Sequence, residues 1–541
     1  MTNSQTVYTE KNNTNVKVVR RTLMIIIFLS VVVRAFFAWI LELENDEVYY
    51  WTYAVYPDWS HFDHPPMVGW MMRLFSMNLH FTGELFLRMS AVLLGGVNTY
   101  LIYLIGKHLD GRLAGLYAAM LYNTSVYCFV IAGIFILPDT PQLFFWLAAL
   151  WFLLTALPAD NIDKQAKKRM LLAGFFIGLA MLSKYTSVFL WAGAGLYILF
   201  YNRKWLSSPA LYFSKLITLL LFLPVIIWNV QNHFISFTFH SRRVSFWGDG
   251  LRPDYFFTEL FGEILYNNPV NFVIIVLALF ALWRRKFRMN PEQRKILLLT
   301  GLPLIMLFLF FALFRRTLPH WTGPAYLGLT LIAAVWLAEK TKRSGRNILF
   351  PGAIVAAAVL LLLTLSLGLT EIRYGIFTAS REENPENLGH NDFTLDMYGW
   401  RQFSDKFSAL YRADVRSGNI DKDAPVLSYR WFPAAHLDYY VAYPNHIDLL
   451  VFGDLEKIHK YAWINRQRKP LQPGMDAWFI TPSRDFKAPQ PLFGQYFETI
   501  GQPDIIRIYK GKKHVENFFV YKLRNCVKVP ADVLTENGFG Q

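Results

Sequence analysis

Long apolar runs separated by short polar stretches dominate the first two thirds of the chain. Most are close to the 17–25 residues that cross about 30 Å of hydrocarbon as a helix. A buried soluble helix explains one or two such runs, but not all of those present here. The pattern therefore predicts an α-helical polytopic membrane protein with about 11–13 transmembrane helices. The runs lie at 23–41, 85–106, 113–136, 140–157, 170–183, 185–201, 212–230, 269–283, 296–314, 323–338 and 347–370.

The pattern changes after about residue 371. WRQFSDKFSALYRAD has the apolar stripe of a helix. PVLSYRW, IDLLVFG, DAWFITP, DIIRIYKG and ENFFVYKL are typical of strands between turns rich in Pro, Gly and Asp. A strand, helix, strand order over 425–452 predicts an α/β domain with a partly parallel sheet. The predicted parts are an N-terminal segment 1–22, a membrane domain 23–370 with outer loops 42–84, 231–268 and 315–321, and a soluble domain 371–541.

Composition and charge agree with this division. Of the 541 residues, 54% are hydrophobic and 17% charged, against about one quarter charged in soluble domains. The net charge is +15, and in the membrane half the basic clusters fall on the cytoplasmic side when the runs are counted from an inside N-terminus. Membrane topology therefore explains the excess of positive charge, and we expect no nucleic-acid partner. Two cysteines give no disulfide framework.

The same count places a different set of segments on the outer face. By this count the C-terminal domain is also on the outer side, which is periplasmic in a bacterium. Loops from distant parts of a chain can assemble a site on one surface when a rigid scaffold positions them. The segments are 42–84, FILPDTPQ at 135–142, Lys184-Tyr185, 231–268 and RRTLPHW at 315–321.

Several short motifs on these segments resemble a known family. NDEVYYW, FDHPP, LPD, LSKYT and PHW are similar to motifs of the membrane glycosyltransferases with the C-type fold, in the bacterial branch related to lipid A aminoarabinose transferase (ArnT-like) and to protein O-mannosyltransferases (PMT-like). The resemblance implies transfer of a sugar from a polyprenyl-phosphate donor, with inversion, on the periplasmic face of the bacterial inner membrane. It leaves both the sugar and the acceptor open: lipid A, a glycan, a protein or another lipid.

The resemblance also implies roles for three acids. Asp46 falls on the aspartate that is proposed to activate the acceptor. Asp63 falls on the acid before the family's (Lys/His)-Pro-Pro sequence. Asp139 falls on the acid of the hairpin that joins the third and fourth apolar runs. His64 stands where the aminoarabinose transferase has lysine, so a contact made by that lysine does not carry over.

Glycosyl transfer requires a base for the acceptor proton and a site that stabilises the departing phosphate. Asp46 is the first candidate base and Glu47 the second. Adjacent residues on a helix point to different sides, so only one of them reaches the reacting centre. The alternative is that these acids cap a helix or loop in water.

The donor phosphate has cationic candidates on the outer face. Positive charge there has no topological explanation, and guanidinium groups bind phosphate bidentately. The alternative is that these side chains reach bulk lipid headgroups. The candidates are Lys184, Arg242, Arg243, Arg315 and Arg316.

Two carboxylates and two imidazoles suggest a further site. A divalent metal such as zinc, manganese or magnesium suits such ligands, with the donor phosphate completing the shell. Their separations carry no ligand spacing, and hydrogen bonding to acceptor or phosphate is the other use. No other cofactor is expected. The residues are Asp63, His64, Asp139 and His320.

A transporter or flippase of lipid-linked sugars is the alternative function. That class predicts charged or broken helices near the midplane and internal repeats. Here the notable charges lie at the ends of apolar runs and no clear repeat is present. The pattern therefore favours transfer to an envelope acceptor. The C-terminal domain either selects that acceptor or serves as a structural lid.

Overall fold

A computed structural model describes residues 2–244, 250–345, 348–377 and 384–539. The chain forms two compact units. The first, called the membrane unit, comprises Met1–Trp39 and His64–Leu363. The second, called the sheet unit, comprises Ile40–Asp63 and Thr364–Gln541. Residues 40–63, which the apolar pattern places in the membrane domain, thus belong to the unit that contains the sheet.

Fifteen helices precede residue 375 in the described chain. They are α1 (Thr2–Ile40), α2 (Asn45–Val55), α3 (Met67–Phe75), α4 (Glu84–Leu87), α5 (Met89–Thr124), α6 (Asp139–Ala156), α7 (Lys164–Ser183), α8 (Phe189–Tyr201), α9 (Pro209–Gln231), α10 (Ile235–Val244), α11 (Pro253–Tyr266), α12 (Pro269–Trp283), α13 (Pro291–Ala312), α14 (Tyr326–Arg343) and α15 (Gly352–Tyr374).

Each apolar run overlaps a helix in the described residues, and α5 includes most of run 85–106 and half of run 113–136, across non-helical backbone at Asp110 and Gly111. Within the described residues, six helices are long and apolar enough to cross a membrane, or seven if the α11–α12 pair, bent by 98°, is one broken span. The protein is therefore a multi-spanning helical membrane protein. The count of 11–13 spans stays a prediction from the sequence.

The membrane unit is built around two strongly buried helices. Most of α6 is buried, and 83% of the apolar window that includes α14 is buried. By contrast, only 28%, 33% and 17% of the windows in α1, α9 and α15 are buried. Large apolar side chains such as Phe28 and Leu220 are exposed there. Apolar exposed faces of this length are suited to lipid.

Close packing inside this bundle depends on small residues. Helices α7 and α9 pack side by side, and a Cβ at Gly174 would lie 2.3 Å from the Ser214 carbonyl oxygen. Any larger side chain would therefore separate the two helices. Small residues serve this purpose in membrane bundles because they let helix backbones approach closely.

The sheet unit contains α2 and all described elements after residue 384. The helices are α16 (Trp400–Arg416), α17 (Trp431–Leu437), α18 (Tyr443–Asn445), α19 (Leu455–Ile458), α20 (Tyr461–Asn465), α21 (Pro489–Phe493) and α22 (Val533–Glu536). The strands are β1 (Val426–Ser428), β2 (Leu449–Val451), β3 (Ala477–Pro482), β4 (Phe497–Ile500), β5 (Asp504–Lys510) and β6 (Lys513–Cys526).

The six strands form one mixed sheet. Its order is β2-β1-β3-β6-β4, with β5 also paired to β6. β1 pairs in parallel with β2 and β3, whereas β6 pairs antiparallel with β3, β4 and β5. The predicted α/β domain and its parallel β1–β2 unit are confirmed. Strand β4 was missed because FETI is only four residues long and carries two polar residues between its two apolar ones.

The sheet packs against α16 through aromatic rings. Phe403 stacks on Phe518 of β6, with ring centroids 3.9 Å apart. Phe407 meets Trp478 of β3 edge to face at 5.5 Å. Because Phe403 and Phe407 are one helical turn apart, a single face of α16 covers the sheet. Such ring pairs add about 0.5–1.5 kcal/mol each beyond area burial.

The segment after the first apolar run is fixed within the sheet unit. A Glu42 carboxylate oxygen accepts a hydrogen bond from the Trp400 N–H at 2.8 Å. The Leu43 N–H donates to the Tyr440 hydroxyl at 2.7 Å, and α2 packs on α17. Glu42 thereby takes one of the N–H groups that the first turn of α16 leaves without an intrahelical partner.

A buried polar cluster lies where β5 and β6 meet the start of α16. Lys510 donates to Asp392 at 2.8 Å with both side chains almost fully buried. Glu516 is fully buried beside them, and neither of its carboxylate oxygens has a hydrogen-bond partner among the described residues. Burial raises the pKa of Glu516 to about 8. Its protonated form is therefore favoured in the folded protein at neutral pH.

This shift makes the stability of the sheet unit depend on pH. A carboxyl whose pKa rises on folding gives stability that is fully present below its unfolded pKa, near 4.5, and lost as pH rises towards 8. We expect the urea midpoint of the sheet unit, measured by pulse proteolysis, to fall between pH 5 and pH 8. Glu516→Gln should flatten this fall, and Glu498→Gln, on an exposed site, should not. An unchanged slope in Glu516→Gln would contradict the assignment.

Candidate active site

The membrane unit holds a buried ion pair between two predicted site residues. Asp139 is the first residue of α6, and Lys184 directly follows α7 in extended backbone. The Lys184 Nζ donates to both carboxylate oxygens of Asp139, at 2.9 and 2.8 Å, and the two residues are 5% and 2% exposed. The Tyr127 hydroxyl donates to the same carboxylate at 2.9 Å. Charge and hydrogen bonds are thus both satisfied, as a buried pair requires.

His320 lies next to this pair. It interacts electrostatically with both Lys184 and Asp139, and its ring centroid is 6.0 Å from that of Tyr266. The 3₁₀ segment Pro319–Ala325 carries it. Three of the predicted residues, from hairpins far apart in sequence, therefore meet in one place.

Two buried acids on α11 hold the segment around His320. Glu263 accepts from the Thr322 hydroxyl at 2.7 Å and from the Tyr326 hydroxyl at 2.9 Å. Glu259 accepts from the Thr317 hydroxyl at 2.7 Å. Neither acid is among the candidates predicted from the sequence. Their signal was present, because two carboxyls four residues apart share one face of an otherwise apolar helix.

A second group of rings adjoins Lys184 along the chain. The Tyr185 ring centroid is 5.5 Å from that of His240 on α10, and the His240 ring is 5.6 Å from that of His64. Parts of the segments 42–84 and 231–268, which the sequence predicts to be outer loops, therefore lie close to Lys184-Tyr185. Neither His240 nor Tyr185 was among the predicted site residues, although Tyr185 stands in the LSKYT motif.

The four predicted arginines lie outside the buried pair. Arg242 and Arg243 are exposed on α10, and the Arg243 guanidinium lies 4.4 Å over the Phe239 ring. Arg315 is half-buried and Arg316 exposed after α13. The structure therefore separates Lys184, which is paired with Asp139, from arginines at the surface of the same unit.

A buried arginine and a π-helical turn support Tyr127. Residues Tyr127–Ile131 form the π-helical turn. Arg34 of α1 is fully buried, donates weakly to the Cys128 carbonyl at 3.5 Å and lies 4.2 Å over the Phe129 ring. A Cβ at Gly133 would be 2.6 Å from the Arg34 Nε. Arg34 thus fills space that only glycine leaves open, beside the turn that presents Tyr127 to Asp139.

The predicted base lies on α2 in the sheet unit. Glu44 caps this helix and accepts from the Asp46 N–H at 2.9 Å, while Glu47 accepts from the Glu44 N–H at 3.0 Å. This reciprocal pattern is a capping box. Burial, and then the charges of Asp46 and Glu47, raise the pKa of the Glu44 carboxyl. Glu47 is fully buried and used for capping, whereas Asp46 is half-buried in the first turn.

Asp63 is anchored to the same helix. It accepts hydrogen bonds from the hydroxyls of Tyr49, at 2.9 Å, and Tyr53. Lys460 lies beside them, with its Nζ 4.6 Å over the Tyr53 ring and donating to the Thr52 carbonyl at 3.3 Å. Burial lowers the pKa of Lys460 well below its usual value. Asp63 therefore orders α2 against its own unit.

A divalent metal would require the predicted ligands to lie together. Among the residues that the structure describes, no three His, Cys, Asp or Glu side chains are grouped to hold an ion. Asp139 is bound by Lys184 and Tyr127, and Asp63 by two tyrosines. A metal held by Asp63, His64, Asp139 and His320 therefore stays a prediction from the sequence.

The fold can be compared with known proteins. ArnT from Cupriavidus metallidurans bound to undecaprenyl phosphate aligns with a TM-score of 0.59 over 92% of this chain and 97% of that one, at 13% identity. The same protein in the apo state gives a TM-score of 0.57 over 94% and 98%, also at 13% identity. The chain therefore has the C-type glycosyltransferase fold, and the likeness at this identity shows the fold alone.

Two sequence comparisons point the same way. A family model described as dolichyl-phosphate-mannose-protein mannosyltransferase matches residues 63–228, which include Asp63, Asp139 and Lys184. The lipid A galacturonosyltransferase RgtD of Rhizobium johnstonii is 23% identical over 298 residues, or 54% of this chain and 60% of that protein. The resemblance to ArnT-like and PMT-like proteins is confirmed. The transporter alternative finds no support in these comparisons.

The buried pair can be tested by breaking it in two ways. Asp139→Asn leaves the Lys184 charge without its anion, which costs about 3–5 kcal/mol for a buried pair. Adding Lys184→Met removes the stranded charge and should recover part of that loss. Thermal unfolding of the protein in detergent measures both.

A matched control is the exposed pair of Asp110 and Lys342, also joined at 2.8 Å. Asp110→Asn should cost less than about 1 kcal/mol, because solvent screens exposed pairs. Equal losses in Asp139→Asn and Asp110→Asn would contradict the importance of burial.

Proposed function

We propose that this protein is an integral membrane glycosyltransferase that moves a sugar from a polyprenyl-phosphate donor to an envelope acceptor. The observation that best supports this proposal is the fold. The chain shares it over 92% of its length with ArnT, which has been crystallised bound to undecaprenyl phosphate. The names of RgtD and of the matching family also describe transfer of sugars, in the latter from a dolichyl phosphate. The alignment spans 60% of RgtD, so activity, donor and acceptor are proposals.

The reaction is a displacement at the anomeric carbon. The acceptor oxygen forms a bond to that carbon while its bond to the phosphate oxygen breaks, and the polyprenyl phosphate leaves with the electron pair. The acceptor proton passes to a carboxylate, for which Asp46 is proposed. The positive end of the α2 dipole favours a carboxylate in its first turn, where it can orient a hydroxyl. Direct displacement inverts the anomeric centre.

The choice of Asp46 over Glu47 rests on the full burial of Glu47 and on its role in the capping box. Glu47 is fully buried, and one of its oxygens accepts the Glu44 N–H. Asp46 is half-buried, and it takes part in the capping box through its backbone N–H rather than through its carboxylate. The acid already used to close the capping box is less able to take a proton from an acceptor.

The phosphate role is divided between buried and exposed cations. Lys184 directs two of its three N–H groups at Asp139, which leaves one for a ligand. We assign it to phosphate orientation, and Arg242, Arg243, Arg315 and Arg316 to neutralising the donor phosphate. The reaction is proposed to occur at the periplasmic face of the inner membrane, with the N-terminus in the cytoplasm, as the basic clusters of the sequence indicate.

The base assignment predicts a specific kinetic loss. Asp46→Asn should lower kcat by about 10²–10⁴-fold with a smaller change in KM, because the amide cannot accept the acceptor proton. The measurement is transfer from polyprenyl-phosphate sugars by the purified protein. Asp254→Asn, at an exposed ion pair, is the control. Full activity of Asp46→Asn would place the base elsewhere.

The arginines on α10 predict a donor-specific effect. The double variant Arg242→Gln with Arg243→Gln should raise the KM for the lipid-phosphate donor about 10-fold or more, since two charged hydrogen-bond donors are lost. The kcat should change less. Arg252→Gln, whose guanidinium pairs with Asp254 at 2.8 Å on the surface, should leave the donor KM unchanged. An effect on the acceptor KM alone would contradict the assignment.

A further inference from the structure

A small cavity in the sheet unit lies on a face of α2 that the proposed reaction does not use. Its volume is about 250 Å³. One wall is formed by Trp51, Val55 and Tyr56, and the other by Arg468 and residues 438–448. Drug-sized ligands use pockets of about 300–1,000 Å³, so this cavity suits a single small ring rather than a long chain.

The floor of the cavity is a fixed ion pair. Arg468 and Asp438 are joined at 2.6 Å, with side chains 6% and 4% exposed. The Tyr461 hydroxyl donates to the same carboxylate at 3.1 Å, and the Arg468 Nε donates to the Tyr56 hydroxyl at 2.9 Å. Because these groups already satisfy one another, they provide a rigid polar surface and need not move when a ligand arrives.

Two polar side chains at the rim remain available. Asp448 is half-buried and His446 exposed, and both line the cavity. Within the described part of the chain, neither side chain is used in a hydrogen bond. His446 is held in left-handed backbone with φ 56°, an uncommon conformation for a residue other than glycine. A carboxylate and an imidazole at this rim can therefore both form hydrogen bonds with a ligand.

Aromatic rings complete the wall. Trp51 is 1% exposed and Tyr443 is 42% exposed, and their ring centroids are 5.2 Å apart at 82°. The fixed Trp51 therefore supports a tyrosine face that solvent, or a ligand, can reach. An aromatic face next to polar groups suits a molecule with one apolar side and one wet side.

The chemistry of the lining selects among ligand classes. Two carboxylates, Asp438 and Asp448, face one guanidinium and one imidazole, so the cavity has no excess of positive charge for a phosphate. Its many polar groups disfavour an acyl chain, because an acyl chain cannot form hydrogen bonds with them. A hydroxylated ring fits both features, with hydroxyls on Asp448 and His446 and its C–H face on Tyr443.

We propose that this cavity is a saccharide subsite that holds one sugar ring of the acceptor. The proposal rests on the proposed function, because Asp46 and Trp51 lie on the same helix. Five residues separate them, which corresponds to about 7.5 Å along the axis. Asp46 also lies about 140° around the helix from Trp51, so a glycan bound in the cavity reaches the helix start through several further units rather than through one. The acceptor is accordingly a molecule that already carries sugar.

Binding can be measured without turnover. The probes are methyl glycosides of glucose, galactose, mannose and N-acetylglucosamine, added at millimolar concentration to the full-length protein in nanodiscs. Saturation-transfer NMR should detect at least one. Asp448→Asn and His446→Ala should each weaken it about 10-fold, since a hydrogen bond to a charged or imidazole group is lost. Asp423→Asn, at an exposed pair with Lys469, should bind like the wild type.

The outcomes separate the subsite from the reaction. No glycoside binding, or binding that neither rim variant weakens, overturns the subsite even if sugar transfer is observed. Binding weakened by both rim variants supports the subsite even if the protein fails to transfer sugar, in which case the proposed function fails instead. Circular dichroism of Asp448→Asn checks folding, and Tyr443→Ala provides a second variant that should also lose binding.

Discussion

A lysine and an aspartate joined inside an apolar helix bundle are the interaction on which the membrane unit depends. An isolated ammonium or carboxylate in such surroundings is costly, so each fixes the position of the other. Asp139 starts one helix and Lys184 ends another. Their contact therefore sets the relative height of α6 and α7, and Tyr127 and His320 gather around it. The need to neutralise these two charges therefore constrains how the helices of the bundle are placed.

The sheet unit obeys a different constraint. Its residues 40–63 come from the opposite end of the sequence to the sheet, and backbone and carboxylate bonds hold them to Trp400 and Tyr440. The first turn of α2 is closed by two glutamates rather than by the serine or threonine common at such positions. This leaves Asp46 as an acid at the helix start whose neighbours have structural duties. The structure thus gives Glu44 and Glu47 capping roles that the sequence alone does not reveal.

The sequence predicts most of the fold, because apolar length and alternation report directly on helices and strands. Each apolar run overlaps a helix in the described residues, and the parallel β1–β2 unit was expected. The assignment of residues 40–63 was not predictable, since contacts between residues as much as 412 positions apart leave no periodic signal. Candidate residues were found where a charge interrupted an apolar run, as at Lys184. Tyr127, Tyr185 and His240 were missed because a single uncharged or neutral ring there resembles ordinary membrane packing.

The π-helical turn at Tyr127–Ile131 has one more residue per turn than an α-helix allows. Removing one residue there would restore regular winding and rotate the preceding helix by about 100° relative to the later part of the chain. The Tyr127 ring would then point away from the α6 carboxylate, although every other side chain in the segment kept its chemistry. The geometry around Asp139 thus depends on the number of residues in this segment as well as on their identity. A gap of one position in a homologous sequence would mark a relative that arranges this carboxylate differently.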